Sequence, residues 1–284
     1  MKVGIIGADG QLGFDLVRAF HDYAEVIQWT LQDFDVVNEE RTHKVIKDTA
    51  PQLVINTAAF HKVGECEQDP QKSFEVNALG AFHAARAAAA VGAKTVFIST
   101  DYVFGNDKDS YIESDTPCPL NVYGASKLAG EQLTRIANPG AHYIVRTSAL
   151  FGEHQSGKGY NFVTLMLNLA REGKEIRVVD DQYTAFTYTK DLAEIIRKLV
   201  SGDAGPGTYH ITNQGSASWF EFARKIFKYA GVAPDLKSTS SEERHEILVR
   251  PESSVLKSEV LPGVGLQLLR PWEEALKEHM NSLA

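Results

Sequence analysis

Val3-Gly4-Ile5-Ile6-Gly7-Ala8-Asp9-Gly10-Gln11-Leu12-Gly13 is the stretch from which the rest of the chain can be read. Val3 to Ile6 is a short apolar run of the kind that forms a buried parallel strand. It enters three glycines spaced three apart, and beyond them Phe14, Leu16, Val17 and Phe20 recur at helical spacing. A strand-to-helix turn with glycines at this spacing has a physical use. It escapes Cβ clashes, lets backbone approach a pyrophosphate, and places negative charge at a helix N-terminus. It is a variant of the dinucleotide-binding fingerprint, opening at Gly7.

Outward from this turn, strand and helix alternate. Glu25 to Trp29 reads as a second strand, Asn38 caps a helix over Glu39 to Thr49, and Leu53 to Asn56 is a third strand. The third strand ends in Thr57-Ala58-Ala59-Phe60-His61, whose small residues let a flat cofactor lie against the backbone. Asp69-Pro70 opens a long alanine-rich helix running to about Val91. Lys94 to Ser99 is a fourth strand, ending in Thr100-Asp101-Tyr102-Val103-Phe104-Gly105. A helix from about Asn121 to Ala137 and a strand from His142 to Thr147 continue the pattern. Such alternation predicts an α/β fold, a doubly wound parallel (Rossmann) sheet. Residues 1–150 with about 188–211 would form the dinucleotide-binding unit, and 151–187 with 212–284 a smaller substrate lobe.

Tyr123-Gly-Ala-Ser-Lys127 lies at the start of the helix after the fourth strand. A Tyr and a Lys four apart share one helix face. An ammonium about 4 Å from a phenol favours the phenolate by roughly 4 kcal/mol at an effective dielectric near 20, with burial acting the other way. A phenol tuned in this way exchanges a proton with an alcohol or carbonyl oxygen near neutrality. Thr100, at the carboxyl edge of the sheet, is expected within reach of it.

Composition narrows the function classes. The formal net charge of -8 argues against a nucleic-acid or anionic-membrane surface as main partner. Two cysteines, Cys66 and Cys118, show no zinc or disulfide spacing, which suits a reducing cytoplasm. The apolar run Val3–Ile6 is too short for a signal peptide or membrane span, and no later segment is long enough. The end of the second strand carries Thr30 where an acid would hold ribose hydroxyls, and no Arg for a 2′-phosphate. NADH and NADPH therefore both stay open.

Taken in order, Gly7-x-x-Gly10-x-x-Gly13, Thr100-Asp-Tyr-Val-Phe-Gly105, Tyr123-x-x-x-Lys127 and Arg146-Thr147-Ser148 resemble the extended short-chain dehydrogenase/reductase superfamily. Within it the chain resembles the dTDP-4-dehydrorhamnose reductase family. The likeness continues through Asn161-Phe-Val163, Val178 to Gln182, Gly207 to Ile211, Arg250-Pro251 and Trp272 to Leu276. It implies hydride transfer from NADPH or NADH to C4 of a nucleotide-bound 4-keto-6-deoxy sugar. Tyr123 would protonate the alkoxide, Lys127 would hold the nicotinamide ribose and lower the Tyr123 pKa, and Thr100 would bond the keto oxygen or the Tyr hydroxyl. Gly10, Gln11 and Leu12 would face the pyrophosphate, Asp35 and Val36 would lie beside the adenine, Ala58, Ala59 and Phe60 would line the cofactor, and Asp101 would touch the sugar. A homodimer is compatible with the resemblance, and no carboxylate spacing assigns a metal.

Three positions depart from the family pattern, all on the expected sugar side. Ala149 stands where a Trp is usual, Tyr183-Thr-Ala-Phe-Thr187 replaces a Gly-x-Pro-Thr run, and His61 replaces a Thr. Arg250 is the candidate for a substrate phosphate, since a planar fork suits phosphate oxygens. Gly152 to Gly159 reads as a mobile loop at the pocket mouth. Helices are expected from Asn161, over Thr189 to Val200 and over Ser218 to Ala230, the last two with Thr or Ser caps, and Cys66 is expected to be an inert thiol. Two other functions share these features: a nucleotide-sugar epimerase or dehydratase of the same superfamily, and a non-catalytic regulatory subunit of the methionine adenosyltransferase type.

Overall fold

A computed structural model describes residues 1–155, 159–243 and 248–283. Six strands form one all-parallel sheet: β1 (Lys2–Ile6), β2 (Glu25–Trp29), β3 (Leu53–Asn56), β4 (Lys94–Thr100), β5 (His142–Thr147) and β6 (Gly207–His210). Their order across the sheet is 2-1-3-4-5-6. After β2 the chain crosses back over β1 to lay down β3, so the direction of winding reverses there. Loops diverge at such a reversal and open a crevice at the carboxyl ends of the strands. Val3–Ile6 of β1 and all of β3 are buried, and apolar but for Gly4 and Asn56, because helices cover both faces; only Lys2, at the start of β1, is half-buried. The helices Gln11–Phe20 and Thr189–Ser201 pack on one face with Leu16, Phe20, Leu192 and Ile196. The alanine-rich segment and the helix Val122–Ala137 lie on the other.

A second apolar cluster joins the helices Phe162–Glu172, Trp219–Ala230 and Trp272–Ser282 around Phe186, Phe222 and Trp272. The Phe186 and Phe222 rings stack at 3.7 Å. Asn161 closes a capping box with Thr164, and Ser218 one with Glu221. Leu261 and Leu269, which the sequence reading puts in the second unit, pack instead in the cluster against the sheet.

Two local expectations differ from what is seen. The alanine-rich segment is not one helix. The α-helix Pro70–Phe74, capped by Asp69, passes into a π-helical stretch, Glu75–Leu79, before the α-helix Gly80–Ala90 resumes. The residue gained there turns Asn77 inward, as π-bulges near ligand sites commonly do. Nor does Thr189 cap its helix: the capping position is Tyr188, and Thr189 donates instead to the Asp15 carboxylate at 2.5 Å. A buried carboxylate is the stronger acceptor, so the tertiary bond displaces the local one.

Candidate active site

At the crevice the first glycine turn has the geometry its sequence implied. Gly7 sits at φ +77°, a conformation that disfavours any Cβ, and its N–H donates to the Trp29 carbonyl at 2.8 Å. A Cβ on Gly13 would fall 2.0 Å from the Gly7 oxygen, so only glycine lets the helix begin this close to the strand. Gly10 is the N-cap of that helix. Gln11 is buried, and its Nε2 has no hydrogen-bond partner among the described residues. A buried donor left open beside a positive helix end fits an anionic ligand such as a pyrophosphate. Leu12 can contribute only backbone, because its side chain is in the core.

The third-strand loop is held from behind. Asn56 Oδ1 accepts from the Ala58 N–H at 3.0 Å. Asn77 grips Phe60 twice: its Oδ1 accepts from the Phe60 N–H at 2.9 Å and its Nδ2 donates to the Phe60 carbonyl at 3.0 Å. Asn77 Nδ2 also donates to Ser126 Oγ on the Tyr123 helix at 3.0 Å. The loop expected to line the cofactor is thereby locked to the Tyr123 helix. Val36 is buried against Gly80, and its carbonyl bonds His83, so its side chain is core. Asp35 Oδ1 closes an Asx turn on the Val37 N–H. Cys66 is buried, with its thiol against the Phe60 carbonyl. Burial first, and then Glu67 and Glu65, raise its pKa.

Tyr123 lies one residue into the helix Val122–Ala137, which Asn121 caps by accepting from the Gly124 N–H. Its ring meets that of Tyr102 edge-on, with centroids 6.1 Å apart. Thr100 ends β4, where the sheet opens into the crevice, and its Oγ1 donates to Asp101 Oδ1 at 2.9 Å while accepting from the Tyr102 N–H. The sequence expectation for the phenol's acidity is reversed here. Burial and then the Asp101 carboxylate push the Tyr123 pKa up, opposed by the Thr100 hydroxyl. Lys127 is not among the causes of that shift. It is almost wholly buried, its Nζ donates to the Ile98 carbonyl at 2.6 Å, and it lies 4.0 Å over the Phe97 ring. Burial lowers its own pKa to about 7, with Glu131 opposing.

Glu131, one turn beyond Lys127, had no functional reading in the sequence. It is fully buried and takes both prongs of Arg146, Nε at 2.8 Å and Nη2 at 2.7 Å, together with Ser99 Oγ at 2.6 Å. This charged fork ties the Tyr123 helix to β4 and β5.

The model of the family described as RmlD substrate binding domain matches residues 1–284. A dTDP-4-dehydrorhamnose reductase of Mycolicibacterium smegmatis is 37% identical, over 98% of this chain and 84% of that protein. The chain belongs to the dTDP-4-dehydrorhamnose reductase family. The Bacillus subtilis spore coat polysaccharide biosynthesis protein SpsK is 39% identical over 99% of this chain and 97% of its own length. A Bacillus anthracis dTDP-4-dehydrorhamnose reductase, solved in complex with NADP, superposes with a TM-score of 0.94 at 38% identity, covering 99% of both chains. Membership makes this chain an NAD(P)-dependent oxidoreductase with a Rossmann sheet.

The residues expected on the sugar side take the following places. Ala149 takes φ +42°, a left-handed conformation unusual for a residue with a Cβ, and sits beside Ser148, whose hydroxyl donates to the Ala185 carbonyl. His61 lies over its own loop, its Nδ1 3.4 Å from the Ala59 carbonyl. Asp101 does not point freely at a sugar. It is buried, and it accepts from Thr100, from Thr184 Oγ1 at 3.2 Å and from Ser254 Oγ at 2.5 Å. Arg250 is half-buried on the segment that crosses the Tyr123 helix, where Asn121 Nδ2 bonds the Val249 carbonyl. Of the expected mobile loop, residues 156–158 fall outside the described residues. Its start is anchored: His154 stacks on Phe14 at 4.8 Å and bonds the Asp9 carbonyl, and Glu153 pairs with Arg18. Among the described residues no helix is long and apolar enough to cross a membrane, and no cluster of metal-binding side chains occurs.

Proposed function

We propose that this reductase converts the 4-keto group of a nucleotide-activated 6-deoxy sugar to an alcohol, with NADPH or NADH as reductant and Tyr123 as proton donor. The observation that carries this reading is that Thr100, at the carboxyl end of β4, and the glycine turn after β1, where Gln11 Nε2 is buried with no hydrogen-bond partner among the described residues, share one edge of the parallel sheet. The NADP of the Bacillus anthracis relative supports NADPH as the working cofactor. The names of the relatives support a dTDP-linked sugar and a place in rhamnose synthesis.

The nicotinamide supplies hydride. The turn Gly7–Gly13 and Gln11 would hold the diphosphate, and the loop Ala58-Ala59-Phe60, braced by Asn77, would bound the cofactor cleft. Lys127, one turn below Tyr123, would meet the nicotinamide ribose by leaving the Ile98 carbonyl. A phenol whose pKa is raised stays protonated at neutral pH, so it is present as the acid. The alkoxide formed at C4 takes the Tyr123 proton.

Tyr123→Phe keeps the ring and its packing while removing the proton. Turnover should fall about 10²–10⁴-fold with cofactor affinity nearly unchanged. Steady-state kinetics with NADPH and a panel of nucleotide 4-keto-6-deoxy sugars checks this, and a variant near full rate would remove Tyr123 from the role. Stoichiometric consumption of NADPH separates a reductase from an epimerase or dehydratase, which recycle their cofactor.

A further inference from the structure

Phe14 and Arg18 lie one turn apart on the helix Gln11–Phe20, which starts at the glycine turn. The Arg18 guanidinium stands 5.6 Å from the centre of the Phe14 ring. Two consecutive residues from a distant stretch of the chain engage this pair. The His154 ring stacks on Phe14 at 4.8 Å, 12° from parallel, and Glu153 pairs with Arg18 at 2.9 Å. His154 also reaches the turn itself, with Nε2 3.0 Å from the Asp9 carbonyl oxygen. A carbonyl only accepts, so Nε2 carries the proton. That carbonyl belongs to the peptide leading into Gly10, the N-cap of the helix.

The segment bearing His154 is rooted in the second apolar cluster, to which Phe151 belongs. Gly152 passes so close over the Thr189–Asp15 bond that a Cβ there would lie 2.0 Å from Thr189 Oγ1. The Gly152 carbonyl is taken by Asn161 Nδ2 at 2.9 Å, at the N-cap of Phe162–Glu172. One end of residues 152–155 is thus fixed to the second cluster and the other grips the glycine turn. Neither hydride nor proton transfer uses this contact. The turn it grips has glycine at 7, 10 and 13, and so has backbone freedom to lose when a diphosphate binds. Holding that backbone in place beforehand lowers the cost of binding.

We infer that His154 is a cofactor-positioning residue: its bond to the Asp9 carbonyl, seated by the Phe14 stack and the Glu153–Arg18 pair, sets the glycine turn for the diphosphate and slows the cofactor's departure. The inference rests on the reading that this turn holds the cofactor.

The test is stopped-flow displacement of bound NADPH from the full chain, followed by nicotinamide fluorescence. His154→Ala should release NADPH about 10-fold faster, the effect of losing one hydrogen bond and one ring stack, with most of the change in the release rate. His154→Gln places an amide N–H at about the reach of Nε2 and should restore most of the slow release. His154→Phe keeps the stack without the donor and should stay fast. Phe14→Leu unseats the ring from the other side and should also speed release, and combined with His154→Ala the two effects should fall short of additive. A purely structural role would lower the denaturation midpoint of the cofactor-free protein and leave release alike in the Ala, Gln and Phe variants. That result, or release at the unsubstituted rate in folded His154→Ala, overturns the inference. An unsubstituted chain that binds neither NADPH nor NADH would remove the cofactor reading itself, and the inference with it.

Discussion

Ala149 is the residue whose backbone and side chain disagree. A left-handed conformation costs a residue with a Cβ about 1–2 kcal/mol, part of which glycine gives back through its freer unfolded chain. Ala149 holds φ +42° between Ser148, tied to Ala185, and the short strand Leu150–Phe151. Ala149→Gly should therefore stabilise the protein by about 0.5–1 kcal/mol, read as a higher denaturation midpoint with an unchanged slope. A lower midpoint would mean that the methyl group's contacts with the second cluster outweigh the strain. The family resemblance expects a Trp here, and nothing in the local sequence announced that the replacement would sit in a left-handed turn. Thr184 is the companion case. It belongs to the run that departs from the family pattern, and in the structure it supplies one of the hydroxyls on Asp101.

Among the elements, the π-helical stretch Glu75–Leu79 carries the most consequence. It aims Asn77 at both polar groups of the Phe60 backbone. Asn77→Ala would leave a buried N–H and a carbonyl short of their partner, at a cost of about 1–3 kcal/mol. Chemical denaturation should show that loss, and NADPH should bind more weakly because the loop Ala58–Phe60 is no longer braced. Full stability with full affinity would show the brace to be idle. The strands were legible: the runs Glu25–Trp29, Leu53–Asn56 and His142–Thr147 emerge with the bounds read from the sequence, the last two because parallel strands buried on both faces leave a continuous signal, whereas Glu25–Trp29 lies at the sheet edge with only Trp29 buried. The π-helical stretch was not, since an extra residue in a helix has no periodicity of its own. An Asn buried in an alanine-rich run was the only hint. The glycine turn and Tyr123 could be found from spacing. Glu131 could not, because its importance comes from Arg146 and Ser99, which the fold alone brings to it.

Across the whole molecule, acid stability should be set in part by His279. It is fully buried against Phe151 and Tyr188, neither ring nitrogen has a hydrogen bond, and burial lowers its pKa to about 4 from 6.5. The unfolded chain takes up this proton from about pH 6.5 downwards, and the folded protein only near pH 4. Unfolding therefore binds a proton in that window, and stability must fall as pH falls through it, by about 2 kcal/mol at pH 5. His210, lowered to about 4 mainly by burial beside Arg146, acts with the same sign. His279→Leu should flatten the pH dependence of the melting temperature between pH 6.5 and 4, and an equally steep curve would exclude His279. The central claim concerns the crevice that both packed clusters border, and it is tested most directly by following an atom. The full chain is incubated with NADPH carrying deuterium on the transferred position of the nicotinamide and a dTDP-linked 4-keto-6-deoxy sugar, and the product is read by NMR. One deuterium at C4 of the product alcohol, matched one for one by oxidised cofactor, is the expected result. Turnover that leaves the cofactor reduced and deuterated, or no turnover across the panel of keto sugars, would contradict it.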